Sequence, residues 1–146
     1  MEDKDLALLL LENFNMFDNL IKSITGSGMK KIQKFTSKQF FTLEQLKKYE
    51  KIELKNLSKD LYVSTSSLCI LLNKLVDAGY VFREDDPRDR RNTFYGITED
   101  GKAVLAEEED RIASLLVANM SGFDEKFKKS LEKSLMVLIK AAEKLY

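Results

Sequence analysis

The sequence predicts a mainly α protein with one small β-hairpin, an α+β arrangement, and three observations carry that reading. Apolar residues recur at three- and four-residue steps through most of the chain, as in amphipathic helices. Period-two alternation is confined to residues 80–84 and 92–97, on either side of a charged loop. Between residues 54 and 98 the parts follow in the order short helix, tight turn, second helix, hairpin. That is the order of a winged helix-turn-helix.

A chain of 146 residues is one domain by size, with 44% apolar and 33% charged residues, ordinary for a soluble globular protein. No apolar run approaches the roughly 18 residues of a membrane span. The longest, residues 6–11, follows Met1-Glu2-Asp3-Lys4-Asp5, unlike the basic start of a signal peptide. A cytoplasmic protein with no membrane partner is therefore expected. The lone Cys69 excludes an intramolecular disulfide. Histidine is absent, and with it the commonest general acid or base and metal ligand. No Gly-rich phosphate loop and no Cys cluster occur. No catalytic residue, metal or cofactor is expected, and the chain does not read as an enzyme. The acidic runs Asp85-Asp86 and Glu107-Glu108-Glu109 read as solvated faces.

The first helix is expected over residues 5–25, with Leu6, Leu9, Leu10, Phe14, Phe17, Leu20, Ile21 and Ile24 at helical spacing and Leu8 and Leu11 widening the apolar band. A helix so broadly apolar packs against more than its own domain. Gly26-Ser27-Gly28 ends it, and Lys30, Lys31 and Lys34 mark a basic connector. Thr36 with Gln39 makes a capping box for a second helix to about residue 50, with Phe35 and Phe40 as its hydrophobic staple. Its buried face is read as Phe40, Phe41, Leu43 and Leu46. Ile52 is a candidate short strand. A short helix over residues 54–60 turns inward Leu54, Leu57 and Leu61, and Tyr62-Val63 makes the turn. Ser64 caps the next helix, residues 64–78, with Val63 stapled onto Leu68. Leu68, Leu71, Leu72, Leu75 and Val76 form its inner stripe, Ser66, Ile70, Asn73 and Asp77 its outer face. Gly79 stops it. The hairpin spans residues 80–97. Thr98 caps a fifth helix with Glu99 and Asp100 in its first turn, and Ser121 with Asp124 reads as the cap of the last.

The helix from Ser64 has the form of a helix that reads DNA. Its leading outer face, Thr65, Ser66 and Ser67, is small and hydroxylated, suited to a deep seat in the major groove, and Asn73 lies within reach of a base or phosphate. Helix N-termini also bind phosphate through free N–H groups. Net charge is zero, yet four of the five arginines, Arg83, Arg88, Arg90 and Arg91, fall within nine residues of the hairpin. Arginine forks suit phosphates and narrow minor grooves. Charge alone leaves open a solvated tip with internal Asp–Arg pairs.

The run Val63-Ser64-Thr65-Ser66-Ser67-Leu68, then Leu72-Asn73-Lys74-Leu75-Val76-Asp77-Ala78-Gly79-Tyr80-Val81-Phe82-Arg83, then Asp86-Pro87-Arg88-Asp89-Arg90-Arg91 and Ile97-Thr98-Glu99-Asp100-Gly101, resembles the MarR family of transcriptional regulators. Phe35-Thr36-Ser37-Lys38-Gln39-Phe40 matches the start of that family's second helix. The resemblance covers nearly the whole chain. It implies a single 1–146 domain in which residues 5–25 and 99–146 are dimerisation helices and 36–98 a DNA-binding lobe. It further implies a homodimer on a pseudo-palindromic operator of double-stranded DNA, acting as a repressor. The helix from Ser64 would read the major groove and each wing a minor groove. By the family's Asp-x-Arg pattern, Arg91 would enter the groove held by an ion pair to Asp89, with Arg88 and Arg90 on phosphates. The expected DNA-binding set is thus Ser64, Thr65, Ser66, Ser67, Ile70, Asn73, Lys74, Arg88, Asp89, Arg90 and Arg91. Many members carry Thr-Arg where this chain has Cys69-Ile70, so a basic contact is missing and Ile70 is a candidate for touching a thymine methyl. Alternatively the chain is a winged-helix protein-interaction module without specific DNA binding. Family members also respond to small aromatic or anionic effectors or to cysteine oxidation. Met16, Phe17, Phe40, Phe41 and Tyr49 are the candidates for lining an effector cavity, with ordinary core as the alternative, and Cys69 reads as a packing residue.

Overall fold

The computed structural model describes residues 1–26 and 35–145; the expected glycine stop at residues 27–28 and the basic connector lie outside them. The elements are α1 (Asp3–Gly26), α2 (Ser37–Leu46), β1 (Ile52–Glu53), α3 (Leu54–Leu61), α4 (Thr65–Asp77), β2 (Val81–Asp85), β3 (Thr93–Ile97), α5 (Glu99–Ala118) and α6 (Glu125–Leu145). They form two compact units, Met1–Ile112 and Ala113–Tyr146. No described helix is long and apolar enough to cross a membrane.

Local chemistry starts most of these elements. Thr36 and Gln39 close the expected capping box: Gln39 N–H donates to Thr36 Oγ1 at 3.2 Å and Thr36 N–H to Gln39 Oε1 at 3.0 Å. Phe35 is buried and meets Tyr80 edge to face, its ring centroid 5.5 Å away. α2 then stops at Leu46, a turn short of the expected end, and the chain enters β1 six residues later. Its buried residues are Thr42, Leu43 and Leu46. Phe41, expected on that face, is 58% exposed and lines a groove toward α4 instead.

Tyr62 turns the chain between α3 and α4 in the left-handed conformation, at φ 53° and ψ 41°. Ser58, buried on α3, locks that turn by donating its hydroxyl to the Val63 carbonyl. Ser64 caps α4 by accepting the Ser67 N–H. Leu68, Leu72 and Leu75 then enter the core, with Leu71 and Val76 packed beside them, while Val63 stays 41% exposed. Gly79 ends the helix at φ +81°, where a side chain would be strained.

The sheet order is β1-β3-β2, antiparallel throughout, with Ile52 opposite Tyr95 and Val81 opposite Ile97. Tyr95 and Ile97 point into the core formed by Leu43, Leu46, Leu57, Leu72, Leu75 and Leu105. Full burial stabilises each such leucine by about 1.5–3 kcal/mol.

Thr98 joins three elements. Its hydroxyl donates to the Gly79 carbonyl at 2.7 Å and accepts the Gly101 N–H at 3.0 Å, while its own N–H donates to the Tyr80 carbonyl at 3.0 Å. The first turn of α5 consequently lies so close to residue 80 that a Cβ on Gly101 would stand 2.1 Å from the Tyr80 oxygen. Further along, Lys47, just past the end of α2, reaches Glu109 of α5 at 2.6 Å. Glu44, beside Glu109, is held above the usual carboxyl range by partial burial and by that second acid. Glu109 is held below it by its interactions with Glu44 and Lys47.

The cap of α6 differs from the expected one. Asp124, not Ser121, is the cap, its Oδ1 accepting the Phe127 N–H at 2.7 Å. The expected box counted three residues from Ser121, but the chain turns through Met120–Phe123, where Phe123 N–H meets the Met120 carbonyl. Leu135, Met136, Val137, Leu138 and Ile139 of α6 are exposed, as are Leu6, Leu8, Leu9, Leu11, Phe14, Met16, Phe17, Leu20 and Ile21 of α1.

Candidate nucleic-acid interface

The outer face of α4 carries the expected small and polar residues. Ser64, Thr65, Ser66, Ser67, Ile70, Asn73 and Lys74 are all exposed, with Ile70 at 63%. The Ser64 and Ser67 hydroxyls are 2.9 Å apart, so the cap is a small hydrogen-bonded cluster. Cys69 is half-buried behind this face. Its thiol neighbours the buried Tyr95 hydroxyl, whose pKa is raised by burial first and then by the thiol. On its other side Asn73 Nδ2 lies 3.9 Å from Cys69 Sγ.

The loop between β2 and β3 is built by two aspartates. Asp86 Oδ1 accepts the Arg88 N–H at 2.9 Å, and Asp89 Oδ1 accepts the Arg91 N–H at 3.0 Å. Each is an Asx turn. Backbone bonds from Asp86 N–H to the Asn92 carbonyl and from Asn92 N–H to the Asp89 carbonyl, both 3.0 Å, close the loop. This corrects the expected ion pair: Asp89 engages the backbone of Arg91 and not its guanidinium. Its short side chain is turned onto the N–H two residues on. Among the described residues no carboxylate lies within ion-pair distance of Arg88, Arg90 or Arg91; only Arg83, lower on the hairpin, pairs, with Asp85 at 3.7 Å. The loop therefore offers three exposed guanidinium groups on a hydrogen-bonded frame.

The effector candidates separate. Met16 and Phe17 line a concavity on α1 with Asn13 and Leu20. Tyr49 lies in another, with Lys51 and Phe94, and donates its hydroxyl to Asp60 at 2.8 Å. Phe40 packs partly into the core. Phe41 lines a third, a groove of about 440 Å³ between α2 and α4 with Lys38, Val63, Ser67, Ile70 and Lys74. Lys38 and Val63 were not among the residues expected on this surface. The signal for Lys38 was its spacing from Phe41, three apart on one helix face.

Comparison with known proteins agrees with this architecture. The MarR family matches residues 35–93. The HTH-type transcriptional regulator SarZ of Staphylococcus aureus is 32% identical over 65 residues, 44% of this chain and 44% of SarZ, so the match spans less than half the length of that relative. A MarR transcriptional regulator from Methanosarcina mazei Go1 superposes with a TM-score of 0.69 at 27% identity, covering 94% of this chain and 99% of the other. FabT of Streptococcus pneumoniae, solved in complex with DNA, superposes at 0.61 with 21% identity over 99% and 100%. Among the described residues the six helices and three-stranded sheet, with the matched 35–93 segment, make the chain similar to the winged-helix proteins of the MarR family.

Proposed function

We propose that the protein is a homodimeric, cytoplasmic DNA-binding regulator of transcription, acting as a repressor on a pseudo-palindromic operator, and not an enzyme. The observation that carries this reading is the juxtaposition of a small, hydroxylated helix start with a hairpin tip of three exposed arginines. α4 enters the major groove by its Ser64–Ser67 end, where Ser66, Ile70 and Asn73 meet base edges and the cap meets phosphate. The wing follows into the minor groove, with Arg91 inserted and Arg88 and Arg90 on phosphates. FabT, whose fold is similar, was solved in complex with DNA, which supports DNA as the partner. The exposed apolar bands of α1 and α6 support the dimer, since one helix face cannot stay greasy in water without a partner. Residues 5–25 and 99–146 supply that interface and 36–98 the reading lobe. Small aromatic or anionic effectors would act by changing the spacing of the two lobes.

Selection from random duplex DNA tests the reading. Enrichment of an inverted repeat with half-sites about one helical turn apart is expected. Failure to enrich any sequence at low salt refutes it, and favours a protein-interaction module. The apolar groove holding Phe41, Val63 and Ile70 is what such a module would use. On a selected site, Arg91→Ala is expected to lower the slope of log K against log salt by about 1.8 for a dimer, about 0.9 per lost phosphate-region cation. An unchanged slope refutes the assignment of the wing.

A further inference from the structure

We propose that α4 selects A·T pairs within each half-site, Ile70 seating the C5 methyl of a thymine and Asn73 pairing with N6 and N7 of an adenine. The inference rests on the DNA-binding reading above and names its sequence class.

Reading guanine through O6 and N7 takes two donors on one side chain, which arginine or lysine supplies. α4 has no arginine, and its single cation, Lys74, stands on the flank that lines the groove with Phe41. The outward row is Ser66, Ile70, Asn73, at steps of four and three. At its centre is a branched aliphatic side chain, 63% exposed, with no donor or acceptor. The one apolar feature of a major-groove edge is the thymine methyl.

Asn73 is prepared for adenine by what lies behind it. Adenine uses one amide N–H and the amide oxygen of an asparagine. The second N–H is spare, and here Nδ2 faces Cys69 Sγ at 3.9 Å. The thiol in turn neighbours Tyr95, which is 1% exposed in the wing sheet. The amide is thereby oriented with its oxygen and remaining N–H free. Guanine presents two acceptors on this edge and would leave that oxygen facing another oxygen. Ile70 and Asn73 are about 4.5 Å apart along the helix axis, a little more than one base-pair step, so the two readings fall on adjacent or next-adjacent pairs.

The test uses the full chain and duplexes selected from a random pool. Both half-sites are expected to contain a thymine whose replacement by deoxyuridine, which removes only the methyl, weakens binding about threefold to fivefold per half-site. In Ile70→Ala that thymine and deoxyuridine are expected to bind equally. Replacing one neighbouring adenine by 7-deazaadenine is expected to weaken the parent and leave Asn73→Ala unaffected. Ile70→Arg is expected to shift selection toward guanine at the same position. Selected half-sites with G·C pairs under α4, or deoxyuridine tolerated at every thymine by the parent, overturn this inference while leaving DNA binding intact. A pool that enriches nothing overturns both.

Discussion

Asp89 is the residue at which two accounts of the wing give opposite results. If it held Arg91 through its charge, Asp89→Asn and Asp89→Ala would be equally damaging, since both remove that charge. The structure instead has Asp89 Oδ1 accepting the Arg91 N–H at 3.0 Å. An asparagine oxygen accepts the same bond, and an alanine cannot. A neutral hydrogen bond is worth about 0.5–1.5 kcal/mol, with exposed positions at the low end. With one such bond in each of two wings, about 1–2 kcal/mol separates the variants, a difference in operator affinity of about fivefold to thirtyfold. Asp89→Asn is also expected to bind at least as tightly as the parent, because it removes a negative charge beside phosphate. Titrations by fluorescence anisotropy at several salt concentrations measure all three proteins on one selected duplex. Amide exchange at Arg91 follows the bond itself and should accelerate only in the alanine variant. Equal loss in the two variants, with equal exchange, would refute the turn-building role and restore the ion pair.

Other perturbations test the frame. Thr98→Val removes two hydroxyl bonds and should cost about 1–3 kcal/mol in denaturant unfolding, while Thr98→Ser should cost much less. Gly101→Ala should be far more damaging than Gly79→Ala. The first drives a Cβ into the Tyr80 carbonyl, whereas the second meets no atom within 4 Å and pays only for its left-handed backbone, about 1 kcal/mol. Glu44→Gln should raise Tm at neutral pH. The folded-state pKa of Glu44 is raised, so its ionised form opposes folding at neutral pH, and that penalty is relieved as pH falls through the raised value. The benefit of glutamine should therefore shrink on acidification. Glu109 works the other way: its pKa is lowered, so its contribution is present above the ordinary carboxyl range and is lost as pH falls through the lowered value. Thermal melts from neutral to acid pH give both signs, and a gain from Glu44→Gln that grew on acidification would contradict the assignment.

Elements whose signals are local were readable from the chain. The Thr36–Gln39 box, the Ser64 cap, Gly79 at positive φ and the Thr98 cap each depend on residues within a few positions, and each formed as expected. The inner stripe of α4 was equally legible because one leucine row has one core to face. Features set by distant partners were not. Phe41 resembles its neighbour Phe40, and only the placement of α3 and α4 decides which ring is buried. The Asp89 carboxylate has two chemically reasonable partners in Arg91, guanidinium and N–H, and loop geometry chose between them. Ser121 and Asp124 are both good caps, and the turn at Phe123 gives the position to the latter. The five effector candidates share aromatic or sulfur character but sit on different surfaces of the single chain.

The two-residue strand β1 has a consequence for the order of folding. The helices of the lobe carry their own start signals and the β2–β3 hairpin is local, so each can form within microseconds. β1 is different: Ile52 pairs with Tyr95 about forty residues away, and Glu53 with Phe94. Forming that pair closes the loop containing α3, α4 and the hairpin, and the entropy of closure comes before any reward from long-range contacts. Docking of β1 onto β3 is therefore expected to be rate-limiting. Ile52→Val should slow folding of the lobe, whereas truncations at the wing tip should leave the folding rate unchanged.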